Sequence, residues 1–181
     1  KVFISDFFVE TRLDDSYSSA ILRVRPKISS ATTLDVSDWT INASLYTWDN
    51  IKVSEITDEI YKYASEKYQD NYFLGKYIEI PVERPKLWSA ETPNLYKLVL
   101  SLEQSGSIVE SRSCAVGFRS VEFKGGELFV NGKREFIKGV NKHEHNPWNG
   151  KTVDEAQIRQ DLKLMKQHNF NSVRTSHYPN I

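Results

Sequence analysis

Two clusters of polar residues near the end of the chain contain the side chains best suited to chemistry. The first is His143-Glu144-His145, and the second is Arg174-Thr175-Ser176-His177-Tyr178. Their imidazole, guanidinium and phenol groups donate hydrogen bonds to polar ligands, and imidazole also binds metal ions. Each cluster follows a short apolar run. This order predicts a strand–helix–strand unit with both clusters past the C-terminal ends of its strands, where ligands bind in α/β folds.

Hydrophobic periodicity indicates which elements would position the two clusters. Glu135–Val140 is apolar enough to be a strand buried on both faces, as in a parallel barrel. A helix is predicted to start at Thr152 or Asp154 and to end near His168. The second strand is predicted within 172–176. The apolar residues that fall on one face of this helix are Ile158, Leu162 and Met165.

The residues alone leave two interpretations of the first cluster. Side chains at i and i+2 of an extended segment point to the same side, so His143 and His145 could be the metal pair of a metal-dependent hydrolase. A metal site needs further ligands, and few are available. The position of His168 at a helix end is already explained by its favourable interaction with the helix dipole. The other interpretation is a polar pocket faced by both clusters. Arg174, on a strand predicted to be buried, would then need a carboxylate partner.

The first part of the chain has the pattern of a β-sandwich. Short apolar segments alternate with polar ones, and turn dipeptides such as Ser105-Gly106 separate them. We predict an immunoglobulin-like sandwich over residues 1–119, without the Cys…Trp…Cys signature of antibody domains. Asp58–Asn71 is interpreted as an irregular or strand-like connection, and Leu87-Trp88 as an aromatic plug in a rigid turn. Cys114 is expected to be a buried side chain and not a nucleophile.

The bulk composition of the chain limits the classes of partner that it is expected to bind. Lys plus Arg and Asp plus Glu number 24 each, so the net charge gives no support for nucleic-acid binding. No apolar run reaches the roughly 18–20 residues that cross a bilayer, and no secretion signal opens the chain. The start without Met suggests a piece of a longer protein. We therefore expect neither nucleic acid nor a membrane as a partner.

At the two polar clusters the chain resembles glycoside hydrolase family 2. The segments GVNKHEHNPW (139–148), 154–171 and NSVRTSHYPN (171–180) are similar to the start of that family's catalytic (β/α)8 barrel. NSVRTSHYP matches the first half of the family signature. The earlier stretches ISDFFVETRL, RPKLWSAETPNLY and VGFR are similar to the immunoglobulin-like domain before the barrel. The motifs KHEHNP and KLWSAETPNLY are most similar to bacterial β-galactosidases.

The resemblance implies a mainly β chain in two domains. An immunoglobulin-like β-sandwich would occupy residues 1–119, and the first βα units of a truncated (β/α)8 TIM barrel would occupy residues 120–181. The implied activity of the whole protein is retaining hydrolysis of terminal β-D-galactose from β-galactosides such as lactose. The alternative within the family is a β-glucuronidase or another family 2 glycosidase. The alternative of a different class is a non-catalytic carbohydrate-binding or interaction module.

The resemblance also assigns roles to individual residues. His143 and His177 would contact sugar hydroxyls and stabilise the transition state. Arg174 would lie beside the catalytic nucleophile and keep it ionised. Asn141 and Tyr178 are further candidates for the pocket.

The same resemblance places the catalytic machinery outside the chain. Both catalytic glutamates would lie beyond Ile181, so the chain alone should be inactive, and Glu144 matches neither catalytic position. No metal ligand or cofactor is assigned to the chain, whereas Mg²⁺, with Na⁺ as a second candidate, is implied for the whole enzyme. That enzyme would be a bacterial homo-oligomer, with cytoplasm and periplasm both open as its compartment.

Overall fold

Strands dominate the computed structural model of the chain, which describes residues 2–30, 38–60 and 76–176. The strands are β1 Val2–Leu13, β2 Ser19–Ser30, β3 Trp39–Thr47, β4 Lys52–Glu59, β5 Ile78–Glu83, β6 Tyr96–Gln104, β7 Ser107–Val116, β8 Val121–Lys124, β9 Glu127–Val130, β10 Lys133–Glu135, β11 Gly139–Lys142 and β12 Ser172–Thr175. One helix, α1 Glu155–Gln167, lies between the last two strands of this described part. The chain divides into two compact units, Lys1–Lys124 with Phe129–Lys133, and Gly125–Leu128 with Arg134–Ile181.

The first unit is an immunoglobulin-like β-sandwich. One sheet has the strand order β1-β2-β5 and the other the order β4-β3-β6-β7. Neighbouring strands in both sheets are antiparallel. Seven antiparallel strands in two packed sheets are typical of immunoglobulin-like domains, although β4 pairs here with β3 and not in the sheet of β1, β2 and β5 as in the constant type. The predicted fold class, mainly β with a sandwich at the N-terminal end, is confirmed.

The core of this unit lies between the two sheets and follows the period-two pattern of the sequence. In β2, Leu22 and Val24 are fully buried while Ile21 is 42% exposed. Each fully buried aliphatic side chain contributes about 1.5–3 kcal/mol through burial. The other strand residues without exposed surface are Ile41, Ala43, Leu45, Ile80, Leu98, Leu100 and Leu102.

One strand of the sandwich was not predicted from the sequence pattern. Residues 52–59 form the edge strand β4, which pairs with β3. Its sequence KVSEITDE is rich in charged residues, which proteins place on edge strands to prevent further pairing, and this charge hides the strand periodicity. Asp58 and Glu59 end this strand, and the part of the predicted 58–71 connection that follows Ile60 lies outside the described residues.

Trp88 packs closely against the backbone of Gly117, as the plug interpretation expects. A Cβ atom at Gly117 would lie 3.1 Å from Trp88 Cβ, so the missing side chain permits the contact. Trp88 N donates to Phe118 O at 2.8 Å, and Asn131 Nδ2 donates to Trp88 O at 2.9 Å. The Arg119 guanidinium lies 4.6 Å from the centre of a Trp88 ring. These contacts fix the 84–96 loop to the end of the sandwich.

Helix α1 begins at the second of its two predicted start positions. The Asp154 carboxylate accepts a hydrogen bond from Gln157 N at 2.8 Å, so Asp154 is the N-cap and Thr152 is not. The helix closes at His168, whose N–H donates to Leu164 O at 3.0 Å. In the described ranges, no helix is long and apolar enough to cross a membrane.

Phe118 provides a test of the sandwich core. Its side chain is fully buried and its ring meets that of Tyr96 edge to face, with 5.1 Å between centroids. Because the cavity could not collapse around this aromatic pair, Phe118→Ala should lower the free energy of unfolding by about 3–5 kcal/mol. Val121→Ala, at a side chain that is 53% exposed, serves as the control and should cost less than about 1 kcal/mol. Equal midpoints for both variants in urea unfolding would contradict the packing described.

Asp14 gives a prediction about pH. Hydrogen bonds from the Ser16 hydroxyl at 2.5 Å and from the backbone of Ser19 and Ser18 lower the pKa of Asp14 from 3.8 to about 2. A lowered folded-state pKa means that this stabilisation is present above the unfolded value of 3.8 and is lost as the pH falls through about 2. An NMR titration of the Asp14 carboxyl carbon should therefore show its midpoint near 2, and a midpoint near 3.8 would refute the turn geometry.

Candidate functional site

The candidate site is built on the parallel pairing of β11 with β12. The register places Asn141 opposite Arg174 and Lys142 opposite Thr175. Parallel strands need a crossover between them, and α1 provides it. The predicted strand–helix–strand unit is thus present: His143 follows β11 directly, Arg174 and Thr175 lie on β12, and Ser176 follows that strand.

The first strand of this unit differs from the prediction in its bounds and burial. Glu135 belongs to β10, and β11 starts only at Gly139. The backbone between them is bound by the side chain of Asn171: Lys138 N donates to Asn171 Oδ1 at 2.8 Å, and Asn171 Nδ2 donates to Phe136 O at 2.9 Å. Because a side-chain amide satisfies these backbone groups, they do not join a strand ladder.

Neither strand of the pair is buried on both faces. All four residues of β12 are exposed, and β11 is only half-buried at best. Burial on both faces requires covering layers on both sides of a sheet, and the second unit, as far as it is described, provides one helix. The prediction that Arg174 lies on a buried strand is therefore wrong for this structure, since Arg174 is exposed.

The first polar cluster alternates in exposure. His143 and His145 are exposed and Glu144 between them is buried. The two imidazole rings lie 5.7 Å apart, centroid to centroid, so both point to one side as the i, i+2 spacing predicts. A hydrogen bond from His145 N to His143 O at 3.1 Å closes a tight turn around Glu144.

Lys142 anchors this cluster through a buried ion network that the sequence reasoning missed. Its ammonium lies 2.8 Å from Glu144 Oε2 and 3.3 Å from Asp161 Oδ2 on α1. The side chains of Lys142 and Glu144 are only 9% and 12% exposed. Burial alone would lower the pKa of Lys142, but the hydrogen bonds and attraction of the two carboxylates outweigh it and raise that pKa above its ordinary value of 10.5. The Lys142–Asp161 ion pair thereby links the end of β11 to helix α1.

A second polar contact joins the same loop to α1. Gln157 Nε2 donates to the carbonyl of His145 at 3.2 Å, and Asn146 Nδ2 donates to Gln157 Oε1. Gln157 and Asp161 are four residues apart and share one helix face. Asn146 also exchanges two backbone hydrogen bonds with Gly150, at 2.7 and 3.0 Å. The loop after β11 is thus held to the helix at two points.

The second polar cluster is only partly described. Arg174 lies on β12 beside Asn141, and among the described residues no carboxylate forms an ion pair with it. Ser176 follows the strand, is 2% exposed, and its N–H donates to Lys142 O at 2.8 Å. His177 and Tyr178 lie outside the described residues, so their predicted roles stay predictions.

Two further predictions concern reactive groups. Within the described ranges, no group of three or more His, Cys, Asp or Glu side chains is arranged to hold a metal ion. Cys114 is half-buried on β7 and packs against the sandwich core, where burial raises the pKa of its thiol. A raised pKa disfavours the reactive thiolate.

The sandwich unit carries a cleft at one end. It has a volume of about 430 Å³ and lies beside Trp48, whose side chain is 58% exposed. The residues that line it are Thr47, Trp48, Asp49, Lys86, Pro93, Asn94, Leu95 and Tyr96. An exposed aromatic ring with polar neighbours is a surface that a small polar ligand could contact.

Comparison with known proteins gives the family. The family model described as glycosyl hydrolases family 2 matches residues 2–119, and the model described as glycosyl hydrolases family 2, TIM barrel domain, matches residues 121–181. Solved structures of the β-glucuronidase from Ruminococcus gnavus share the fold. Its complexes with N1-substituted uronic isofagomine and with D-glucuronic acid each match with a TM-score of 0.76 and 21% identity over 99% of this chain. The chain spans 27% of the length of those proteins. Because the two family models together match both units, the chain belongs to glycoside hydrolase family 2.

Proposed function

We propose that the chain supplies the immunoglobulin-like domain and the opening βα segment of a retaining glycoside hydrolase that acts on β-galactosides. The observation that carries this proposal is the parallel register of β11 and β12. It places Asn141 beside Arg174, and His143 directly follows the same strand edge. In a (β/α)8 barrel, residues at the C-terminal ends of the strands face the substrate.

His143 is proposed to bind the sugar. Its imidazole is exposed, and the loop that carries it is fixed at two points to α1, so a hydrogen bond to a substrate hydroxyl would cost little loop ordering. His177 is proposed to contact the same sugar from the end of the neighbouring strand, with Asn141 and Tyr178 as further pocket residues. Hydrogen bonds that strengthen as charge develops at the anomeric carbon lower the barrel enzyme's activation free energy.

Arg174 is proposed to support a nucleophile contributed by another segment of the enzyme. A guanidinium beside a carboxylate lowers that carboxylate's pKa, which keeps it ionised and nucleophilic. A retaining mechanism requires a second carboxyl group about 5–5.5 Å from the nucleophile. Glu144 is unsuited to either role, because its carboxylate is buried and paired with Lys142 at 2.8 Å. On the family resemblance, both catalytic glutamates are proposed to lie outside this chain.

Exposed apolar side chains in the second unit support the presence of further barrel strands. Isolated barrel segments leave surfaces that the closed barrel would cover. Val173 on β12 is 40% exposed, and Leu164 on α1 is 47% exposed. Phe136, Ile137 and Trp148 are exposed still further.

A galactoside is proposed over a glucuronide on the strength of two motifs. KHEHNP and KLWSAETPNLY are similar to the β-galactosidases of the family. The solved structures that share the fold are β-glucuronidases, but at 21% identity they bear on the fold alone. The β-glucuronidase alternative therefore differs from the proposal in the sugar and not in the family or the reaction.

Mg²⁺ is proposed as an ion of the whole enzyme only. The described residues offer no group of three or more side chains able to hold it. We therefore assign no metal ligand to the described part of this chain, and no role given above depends on one.

The Trp48 cleft favours a second candidate function, a non-catalytic carbohydrate-binding module. Sugars pack against exposed indole rings, and the neighbouring Asp49 and Asn94 could accept or donate hydrogen bonds to hydroxyls. Calorimetry of free galactose with the 181-residue chain separates the two candidates. The hydrolase proposal expects no measurable binding, whereas binding that Trp48→Ala abolishes would favour the module.

The substrate proposal predicts the selectivity of the enzyme that contains this chain. Its kcat/KM for 4-nitrophenyl β-D-galactoside should exceed that for the β-D-glucuronide by at least about a hundredfold, because a site that binds the hydroxyls of one sugar leaves polar groups unpaired with the other. The reverse order would establish the glucuronidase alternative. No hydrolysis of either glycoside would remove the enzyme proposal.

The role of His143 predicts a specific loss of activity. In the same enzyme, His143→Ala should lower kcat/KM for the galactoside by about ten- to a hundredfold, because a hydrogen bond to a sugar hydroxyl that strengthens in the transition state is lost. The melting temperature should stay within about 2 °C, since the imidazole is exposed. His168→Ala, at the end of α1, is the matched control and should keep the wild-type rate. Wild-type kcat/KM in His143→Ala would remove His143 from the site.

A further inference from the structure

Lys142 contacts three parts of the candidate site: the loop after β11, helix α1 and the end of β12. Its peptide bond leads directly into His143 at the end of β11. Its side chain binds Glu144 and Asp161 at 2.8 and 3.3 Å, and its carbonyl accepts the N–H of Ser176 at 2.8 Å. Ser176 directly precedes His177. One residue therefore joins the His143 loop, the end of β12 at Ser176 and the crossover helix.

We infer that Lys142 is a positioning residue for His143 and for the end of β12 at Ser176, acting through its ion network with Glu144 and Asp161. This inference rests on the proposed function for the part that concerns sugar binding. Lys142 does not itself reach the substrate side, since residues alternate in direction along an extended segment and its neighbours Asn141 and His143 are the exposed ones.

The burial of Lys142 and Glu144 makes this network an effective anchor, although the third member, Asp161, is 33% exposed. Lys142 is 9% exposed, and its two carboxylate partners come from different elements, the loop after β11 and α1. A charge held by two partners with little solvent has few alternative arrangements, since each alternative leaves a buried charge unpaired. The exposed pair Arg159–Glu155 on the same helix has no such restraint, with side chains 76% and 78% exposed.

The arrangement also explains why Glu144 is a carboxylate. Glu144 is buried between two exposed histidines, and the turn from His145 N to His143 O bends the backbone around it. When Lys142 holds the Glu144 side chain inward, the flanking imidazoles are directed outward together. Alternation along the chain gives the two rings, 5.7 Å apart, their common direction, and the Lys142–Glu144 contact on the opposite side of the chain restrains it.

The exchange test uses the full-length enzyme and four variants. Lys142→Met removes the charge and keeps the length of the side chain, and Lys142→Arg keeps the charge. The double variant Lys142→Met/Glu144→Gln removes both buried charges. It takes the place of Lys142→Met if the Lys142→Met protein does not fold. Arg159→Met breaks the exposed pair on the same helix and is the matched control.

The first measurement is backbone amide exchange, which needs no activity. Lys142→Met should accelerate exchange at His145 and Ser176 by at least about tenfold, because both N–H groups depend on the anchored loop. Arg159→Met should leave both rates unchanged, and Lys142→Arg should restore them. Unchanged exchange in Lys142→Met, or in the double variant if that one is used, would overturn the inference.

The second measurement is a double-mutant cycle on kcat/KM. Lys142→Met should lower kcat/KM by about ten- to a hundredfold through misplacement of His143, and Lys142→Arg should recover most of the loss. In the His143→Ala background, the same change should lower kcat/KM by less than about threefold, because the positioned group is already absent. If Lys142→Met and His143→Ala lowered kcat/KM independently, so that their fold-changes multiplied in the double variant, Lys142 would not act by positioning His143. Faster exchange in an enzyme without glycosidase activity would refute the proposed function and leave the structural anchor established.

Discussion

The parallel pairing of β11 with β12 is the constraint on which the candidate site depends. Parallel neighbours cannot be joined by a tight turn, so the chain must cross over, and α1 makes that crossing. The same geometry brings the C-terminal ends of two strands side by side. Residues separated by more than thirty positions in sequence, such as Asn141 and Arg174, thereby become neighbours. Without this register Asn141 and Arg174 would not lie side by side.

Polar contacts, more than apolar burial, hold this segment in shape. Helix α1 has no buried residue, and β12 is exposed throughout. In their place, Asn171 binds the backbone before β11, Lys142 binds Glu144 and Asp161, and Gln157 binds the loop carbonyl of His145. Directed contacts of this kind define the positions of loops and strand ends more narrowly than apolar packing, because each donor requires a particular acceptor. The sandwich unit is different, since its core is a continuous layer of buried aliphatic residues.

The sequence predicted the parts of the fold that depend on periodicity. The sandwich, the helix and the strand–helix–strand order follow from apolar spacing, and the same-side histidines follow from alternation. The start of β11 was misplaced because the Asn171 side chain occupies backbone groups that an apolar run would give to a ladder. Lys142 was missed as an anchor because a lysine between polar residues resembles any exposed lysine. Its partner Asp161 is nineteen positions away, and only the crossover brings them together.

The most direct test of this account is a crystal structure of the full-length enzyme with a galactose-configured iminosugar bound. The account predicts that a ligand hydroxyl lies within about 2.7–3.2 Å of the His143 imidazole. It also predicts that the Arg174 guanidinium contacts the carboxylate that faces the anomeric position. A ligand bound away from the C-terminal ends of β11 and β12, with His143 and Arg174 both remote from it, would contradict the account.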